Sequence, residues 1–205
     1  MVNLTYSNVV NSVNSGIETA VKEFLKLSNN YVELSYAPEY YINVNIAKYL
    51  KTIRTASIFL EEPMGDSWEP TENKAPEDWK SNRRYDIVVR DREGYPYAVI
   101  EVKNRVYEVS NRVIIDFQRL STAFNAIKGP ERVFKMGIFA FYTVFDEKNV
   151  AENKENIEKL YSDLEAEFKK YKGEAEVKRE TIGPKLHSYN KDAVWGGGCF
   201  VLSPP

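Results

Sequence analysis

The chain has 205 residues, 43% hydrophobic and 13% aromatic, enough to bury one sizeable core. Its charged residues (28%) nearly cancel to a formal −2, which excludes a surface broadly coated with positive charge for nucleic acid, though not a local groove. A lone cysteine, Cys199, excludes an internal disulfide; no run of about eighteen apolar residues is present to cross a membrane, and MVNLTYSNVV lacks the basic and apolar regions of a secretory signal, so a cytoplasmic protein with no membrane role is expected.

From Asn8 to Leu27 apolar residues recur at helical spacing (Val9, Val13, Ile17, Val21, Phe24, Leu25), predicting an amphipathic helix that ends at Ser28-Asn29-Asn30. A second helix begins at Ala37-Pro38-Glu39, where proline suits a first turn, and runs through YYINVNIAKYLKTI to Ile53. Ala56 to Leu60 reads as a strand closed by Glu61-Glu62-Pro63. Met64 to Asn82 is aperiodic and rich in Pro, Trp and charge, a length that in a compact domain points to a functional or mobile loop. Its Trp68 and Trp79 suit either stacking on bases or covering the edge of the core.

Arg83 to Arg105, RRYDIVVRDREGYPYAVIEVKNR, predicts a β-hairpin: Ile87-Val88-Val89 and Ala98-Val99-Ile100 flank a turn at Asp91-Arg92-Glu93-Gly94. Antiparallel arms bring Asp86, at the start of the first, towards Glu101, at the end of the second. Alternation puts Glu101 and Lys103 on one face and Ile100 and Val102 on the other. Two carboxylates and an ammonium thereby gather at one end of an apolar hairpin. A hard divalent cation takes such oxygen ligands together with substrate phosphate. The metal polarises the phosphoryl oxygen, and a neighbouring lysine orients water or stabilises developing negative charge. The plain alternative is a surface salt bridge between Glu101 and Lys103.

Beyond the hairpin, Ser110 precedes a helix from Val113 to Ile127, stopped by Gly129-Pro130 and carrying Asp116, Gln118 and Arg119. Val133 to Val144 reads as a buried strand. Ala151 to Lys172 reads as a long charged helix with Ile157, Leu160, Leu164 and Phe168 on one face. Short strands and turns follow, at Glu176 to Ile182 and Cys199 to Leu202. Gly196-Gly197-Gly198 lacks the Lys-Ser/Thr of a phosphate loop and reads as a bend or a site of close packing. His187 and Cys199 carry no motif of a nucleophile and its base. Lys80, Arg83, Arg84, Arg90, Arg92, Arg105, Arg112 and Arg119 cluster in sequence around the hairpin, whereas Asp146 to Glu167 is acidic.

Asp86, a gap of fourteen residues, then Glu101-Val102-Lys103 resembles the PD-(D/E)xK phosphodiesterase superfamily, with Tyr85 where the motif has proline. The resemblance spans Pro38 to Tyr142. It implies an α/β fold: a restriction endonuclease-like mixed β-sheet flanked by helices, in αβββαβ order. An extra N-terminal helix and a C-terminal β extension would complete a single domain over residues 1–205, with its core at about 38–145. It further implies a nuclease that uses Mg2+ (or Mn2+) to hydrolyse phosphodiester bonds of nucleic acid, DNA ahead of RNA. Asp86 and Glu101 would bind the metal, Lys103 would position the attacking water, and Glu39 on the preceding helix would be a third carboxylate.

Two readings stay open at several positions. Glu39 is either that third ligand or an acid favouring the positive end of its helix. Gln118 and Arg119 either touch water or phosphate or ride on a solvated face, and Glu61 and Glu62 lie within reach of the same point. A homodimer is compatible with the pattern. The rival functions are a catalytically inactive nucleic-acid- or protein-binding module on the same fold, and a structural or regulatory protein with no metal affinity. The retained carboxylates speak against the first, because burying them together without use is unfavourable.

Overall fold

The computed structural model describes residues 3–29, 31–68, 83–126, 133–147, 149–188 and 190–205. Helix α1 (Tyr6–Leu27) starts where the Thr5 hydroxyl accepts a hydrogen bond from Asn8 N–H. It therefore begins three residues before the apolar stripe does at Val9, because the cap sets the start. The stripe of Val9, Val13, Ile17 and Val21 is buried in the same core as Ile42 and Ile46 of α2 (Glu39–Leu50). Gly16 forms the point of closest approach: a Cβ there would stand 2.5 Å from Ile46 Cα. A residue that costs helix propensity is here what lets two helix backbones meet. Helix α2 stops three residues short of Ile53, which is nevertheless buried in the turn that follows.

Six strands build one mixed sheet: β1 (Ser57–Pro63), β2 (Arg84–Arg90), β3 (Pro96–Lys103), β4 (Met136–Phe145), β5 (Glu176–Leu186) and β6 (Val194–Ser203), in the spatial order β1-β2-β3-β4-β6-β5. Only β3 and β4 run parallel, joined through α3 (Asn111–Asn125); the other neighbours are antiparallel. Strand alternation splits the core in two. Ile87, Val89, Ile100 and Val102 face the layer of α1 and α2. Val88, Val99, Phe139 and Phe141 face α3 and α4 (Val150–Tyr171), packing with Phe117, Leu160 and Phe168. With both faces covered, β3, β4 and β6 read as apolar runs.

The expected α/β class and the order α-β-β-β-α-β are present in α2-β1-β2-β3-α3-β4. The C-terminal extension differs from expectation. In place of short strands it supplies two of 11 and 10 residues, and β6 lies inside the sheet beside β4. The glycine run is not a bend but part of β6. A Cβ at Gly196 would collide with Tyr161 Oη and one at Gly197 would lie 2.6 Å from Phe141 O. Tyr161 Oη donates to Ile182 O at 2.8 Å and accepts from Gly197 N–H at 2.9 Å. Close packing was the correct half of that expectation, since bare glycine lets a helix-borne phenol reach the strand backbone. The helix stop at Gly129-Pro130, Trp79 and Lys80 lie outside the described residues. Among the described residues no helix is long and apolar enough to cross a membrane.

Candidate functional site

The hairpin register pairs Ile87 with Ile100 and Val88 with Val99. The ladder stops there, one step before Asp86 and Glu101. At that break Asp86 Oδ2 accepts the backbone N–H of Val102 at 2.7 Å, so a side chain supplies a partner at the strand's end. Tyr85 lies in the α3-side core, edge-on to Phe134 with ring centres 5.9 Å apart. In β1, the ladder pairs Leu60 with Ile87 and Glu62 with Tyr85 but skips Glu61, which has φ 53°. A non-glycine residue in the left-handed region stores strain, and such residues gather at functional sites.

Around this break the charged side chains form one continuous chain. Glu101, 2% exposed, accepts from Arg119 Nη1 at 3.0 Å. Arg119 Nη2 stands 3.0 Å from Asp116 Oδ1, and Asp116 Oδ2 stands 3.1 Å from Lys103 Nζ. Lys103 Nζ donates to Glu39 Oε1 at 3.2 Å, and Glu39 Oε2 accepts from Asn104 N–H at 3.2 Å. Signs alternate along Glu101–Arg119–Asp116–Lys103–Glu39, from α3 across the end of β3 to α2. Asn104 holds the α2 side in place, donating through Nδ2 to Leu34 O at 3.0 Å and Ala37 O at 2.9 Å.

Glu39, Asp86, Glu101 and Lys103, the residues singled out in the sequence, are all at this sheet end. Their pairing is not the expected one. The partner of Glu101 is Arg119, and the partners of Lys103 are Glu39 and Asp116, so no Glu101–Lys103 surface bridge forms. Arg119 belongs to the cluster and not to a solvated face. Gln118 is exposed, and Glu62 is buried against Arg90, which also donates to Gly94 O at 2.9 Å and Asp66 O at 3.0 Å. Asp116, which the sequence placed on this helix with no role in the site, is 2% exposed. A signal for it existed: Val113, Asp116, Phe117 and Leu120 follow the i, i+3, i+4, i+7 spacing of one helix face.

Burial sets the electrostatics. It pushes the Glu101 carboxyl well above its usual range, with the nearby Asp86 adding to the rise and Arg119 opposing it. Burial also raises Asp86, against the Val102 N–H bond and Lys103, and raises Glu39. Burial works against a charged Lys103, but Asp116, Glu39 and Asp86 outweigh it and keep the ammonium protonated. Among the described residues no three carboxyl, histidine or cysteine side chains converge as a ready set of metal ligands.

A carboxyl whose pKa is raised on folding is destabilising once ionised. Stability is therefore fullest below the ordinary carboxyl value, 4.5 for Glu101, and is lost as pH rises through the raised one. In chelator, the wild-type melting temperature should fall relative to that of Glu101→Gln as pH climbs from about 4.5 towards neutrality. Parallel curves for the two proteins would refute the assignment of a raised carboxyl to Glu101.

Next to the cluster, a groove of about 420 Å³ is lined by Glu39, Lys103, Arg105, Tyr107, Glu108 and Arg112, among others. Cys199, by contrast, is buried in β6 and its thiol is pushed up by that burial, the opposite of an activated nucleophile. No protein-family model, curated protein or solved structure matches the chain.

Proposed function

We propose that the protein is a metal-dependent nuclease of the PD-(D/E)xK, restriction endonuclease-like type, hydrolysing phosphodiester bonds of nucleic acid, with DNA ahead of RNA. The observation that carries this reading is that Asp86, Glu101 and Lys103, from adjacent strands, and Glu39, from the preceding helix, lie at one end of the sheet. The order α2-β1-β2-β3-α3-β4 agrees with it, and a cytoplasmic setting belongs to the same reading.

The donor atoms are carboxylate oxygens, the type a hard divalent cation takes, although no three of them converge among the described residues. Among the described residues Glu39, Glu101 and Asp116 pair with Lys103 and Arg119, while Asp86 takes a backbone N–H and has Glu61 beside it, so the acids of the cluster outnumber the cations paired with them. Asp86 and Glu101 would hold Mg2+ or Mn2+, and Glu39 would join as third ligand by leaving Lys103 and Asn104. Such an ion would supply Lewis-acid polarisation of the phosphoryl oxygen and make a water more acidic.

The chain's own residues supply orientation and charge. Lys103, kept protonated by three carboxylates, acts as a hydrogen-bond donor that holds a water or phosphate oxygen and not as a proton acceptor. Asp116 and Glu39 fix that ammonium from two helices. Arg119 holds Glu101, and the Val102 N–H holds Asp86.

The test is incubation of the full chain with single- and double-stranded DNA and RNA, with Mg2+, Mn2+ or chelator. Cleavage with metal and none in chelator is expected, and Mn2+ should raise the melting temperature of the wild type more than that of Asp86→Asn. Cleavage persisting in excess chelator would overturn the metal. Binding of nucleic acid with no cleavage under any condition would favour the inactive binding module instead, with the ion-pair chain as a purely structural device.

A further inference from the structure

The groove beside Lys103 is not used by the chemistry above, although the two share a wall. Glu39 and Lys103 form one side, and residues 104–113, which lead from β3 into α3, form the other. Three of its lining residues are cations: Lys103, Arg105 and Arg112. Two are acids, Glu39 and Glu108.

Arg105 is anchored. Its Nε donates to Ser35 O and its guanidinium lies 5.1 Å from the centre of the Tyr36 ring. It also holds a left-handed backbone, φ 61°, a conformation that a side chain of this size adopts only where its surroundings enforce it. Arg112 is exposed in the first turn of α3, where the helix end adds positive potential. One aromatic ring of the lining stands beside these cations: Tyr107, 47% exposed. Tyr107 is braced edge-on against Phe145, with ring centres 5.8 Å apart.

An anchored cation and an exposed one beside a half-open ring match a ligand that carries both phosphates and flat bases. Size narrows the class. At about 420 Å³ the groove falls in the lower part of the roughly 300–1,000 Å³ typical of small-ligand sites, room for a nucleotide and not for a duplex.

We infer that this groove binds a single-stranded segment of nucleic acid. A phosphate lies against Arg105 and Arg112, a base stacks on Tyr107, and the adjoining phosphodiester is delivered to Lys103. The delivery step rests on the nuclease reading; the binding itself does not.

The experiment is fluorescence anisotropy of the full chain in chelator, so that nothing is cleaved. The probes are labelled twelve-nucleotide oligo-dT and oligo-U and a blunt twelve-base-pair DNA duplex. Both single strands should bind at least about tenfold more tightly than the duplex, because the contacts are indifferent to the 2′-hydroxyl. Arg112→Ala should weaken single-strand binding severalfold and reduce the slope of log K against log salt by about 0.7, one phosphate contact. Tyr107→Ala should weaken it about fivefold or more with the salt slope unchanged.

Duplex binding as tight as single-strand binding would overturn the inference, as would single-strand binding untouched by Arg112→Ala. If Tyr107→Ala melts early, Arg112→Ala alone decides, since it alters an exposed side chain. Groove-dependent binding without cleavage in Mg2+ or Mn2+ would remove the nuclease reading and leave the groove. Cleavage indifferent to both variants would do the reverse.

Discussion

Glu101→Gln is expected to lower metal-dependent cleavage by about a thousandfold while raising the melting temperature. Removing one preorganised electrostatic group from a reacting centre typically costs about 10²–10³ in rate, and Glu101 is one of the two strand carboxylates assigned to the cation. The glutamine keeps the shape of the side chain, and its amide oxygen still accepts from Arg119 Nη1, so packing is preserved. What disappears is an ionised group that burial and the neighbouring Asp86 both oppose. Loss of activity with gain of stability is the signature of a site whose charge is held against the fold's preference. Undiminished cleavage by the purified variant would remove Glu101 from the chemistry. A lower melting temperature would mean that its charge supports the fold.

Arg119→Ala is expected to destabilise the protein by about 2–4 kcal/mol, lowering the melting temperature by about 4–16 °C for a domain of this size. Breaking a buried ion pair by removing one partner costs roughly 3–5 kcal/mol, because a buried charge is left behind. Arg119→Ala leaves Glu101 without its partner, but Asp116 keeps Lys103 and the arginine side chain is 26% exposed, so the loss is smaller than for a fully buried pair. Adding Glu101→Gln to Arg119→Ala should restore part of the stability, which thermal or urea unfolding of the four proteins measures directly. Strictly additive losses would mean that the two side chains do not share an interaction.

The two strands of the site were legible because strand geometry leaves little freedom. Once Ile87-Val88-Val89 and Ala98-Val99-Ile100 are read as paired arms, Asp86 must fall near Glu101, and Ile100 and Val102 must turn away from it. The start of α2 at Glu39 was legible because proline marks it, whereas the place of Glu39 beside the strands came only from the family resemblance. The partners of these residues were not. That Arg119 meets Glu101, and Asp116 meets Lys103, depends on how α3 docks on the sheet, a relation between elements that no local period encodes. The break at Asp86 was hidden for a related reason: a carboxylate that replaces a strand hydrogen bond looks, in sequence, like any residue at a strand's start. Glu62 shows the opposite error. Proximity in sequence suggested the site, but Arg90 on the neighbouring strand holds it.

The position of β6 between β4 and β5 carries a consequence for the nascent chain. Every residue that builds the charged cluster, from Glu39 to Arg119, leaves the ribosome before β4 does. β4 itself, MGIFAFYTVF, then has β3 on one side and nothing on the other until residues 194–203 are made. At roughly 5–20 residues per second, the 58 residues separating Phe145 from Ser203 take about 3–12 s to synthesise. For that interval an apolar strand offers bare backbone donors and acceptors, the template on which other chains add. Helix α4 emerges in the gap and shields a face, but a helix lying on a face leaves the strand's rim open. A ribosome stalled after α4 would thus release a polypeptide holding its complete set of charged site residues and an unsealed, self-adhesive edge. Production in the cell should depend on holdase chaperones acting in those seconds more than on the stability of the finished sheet.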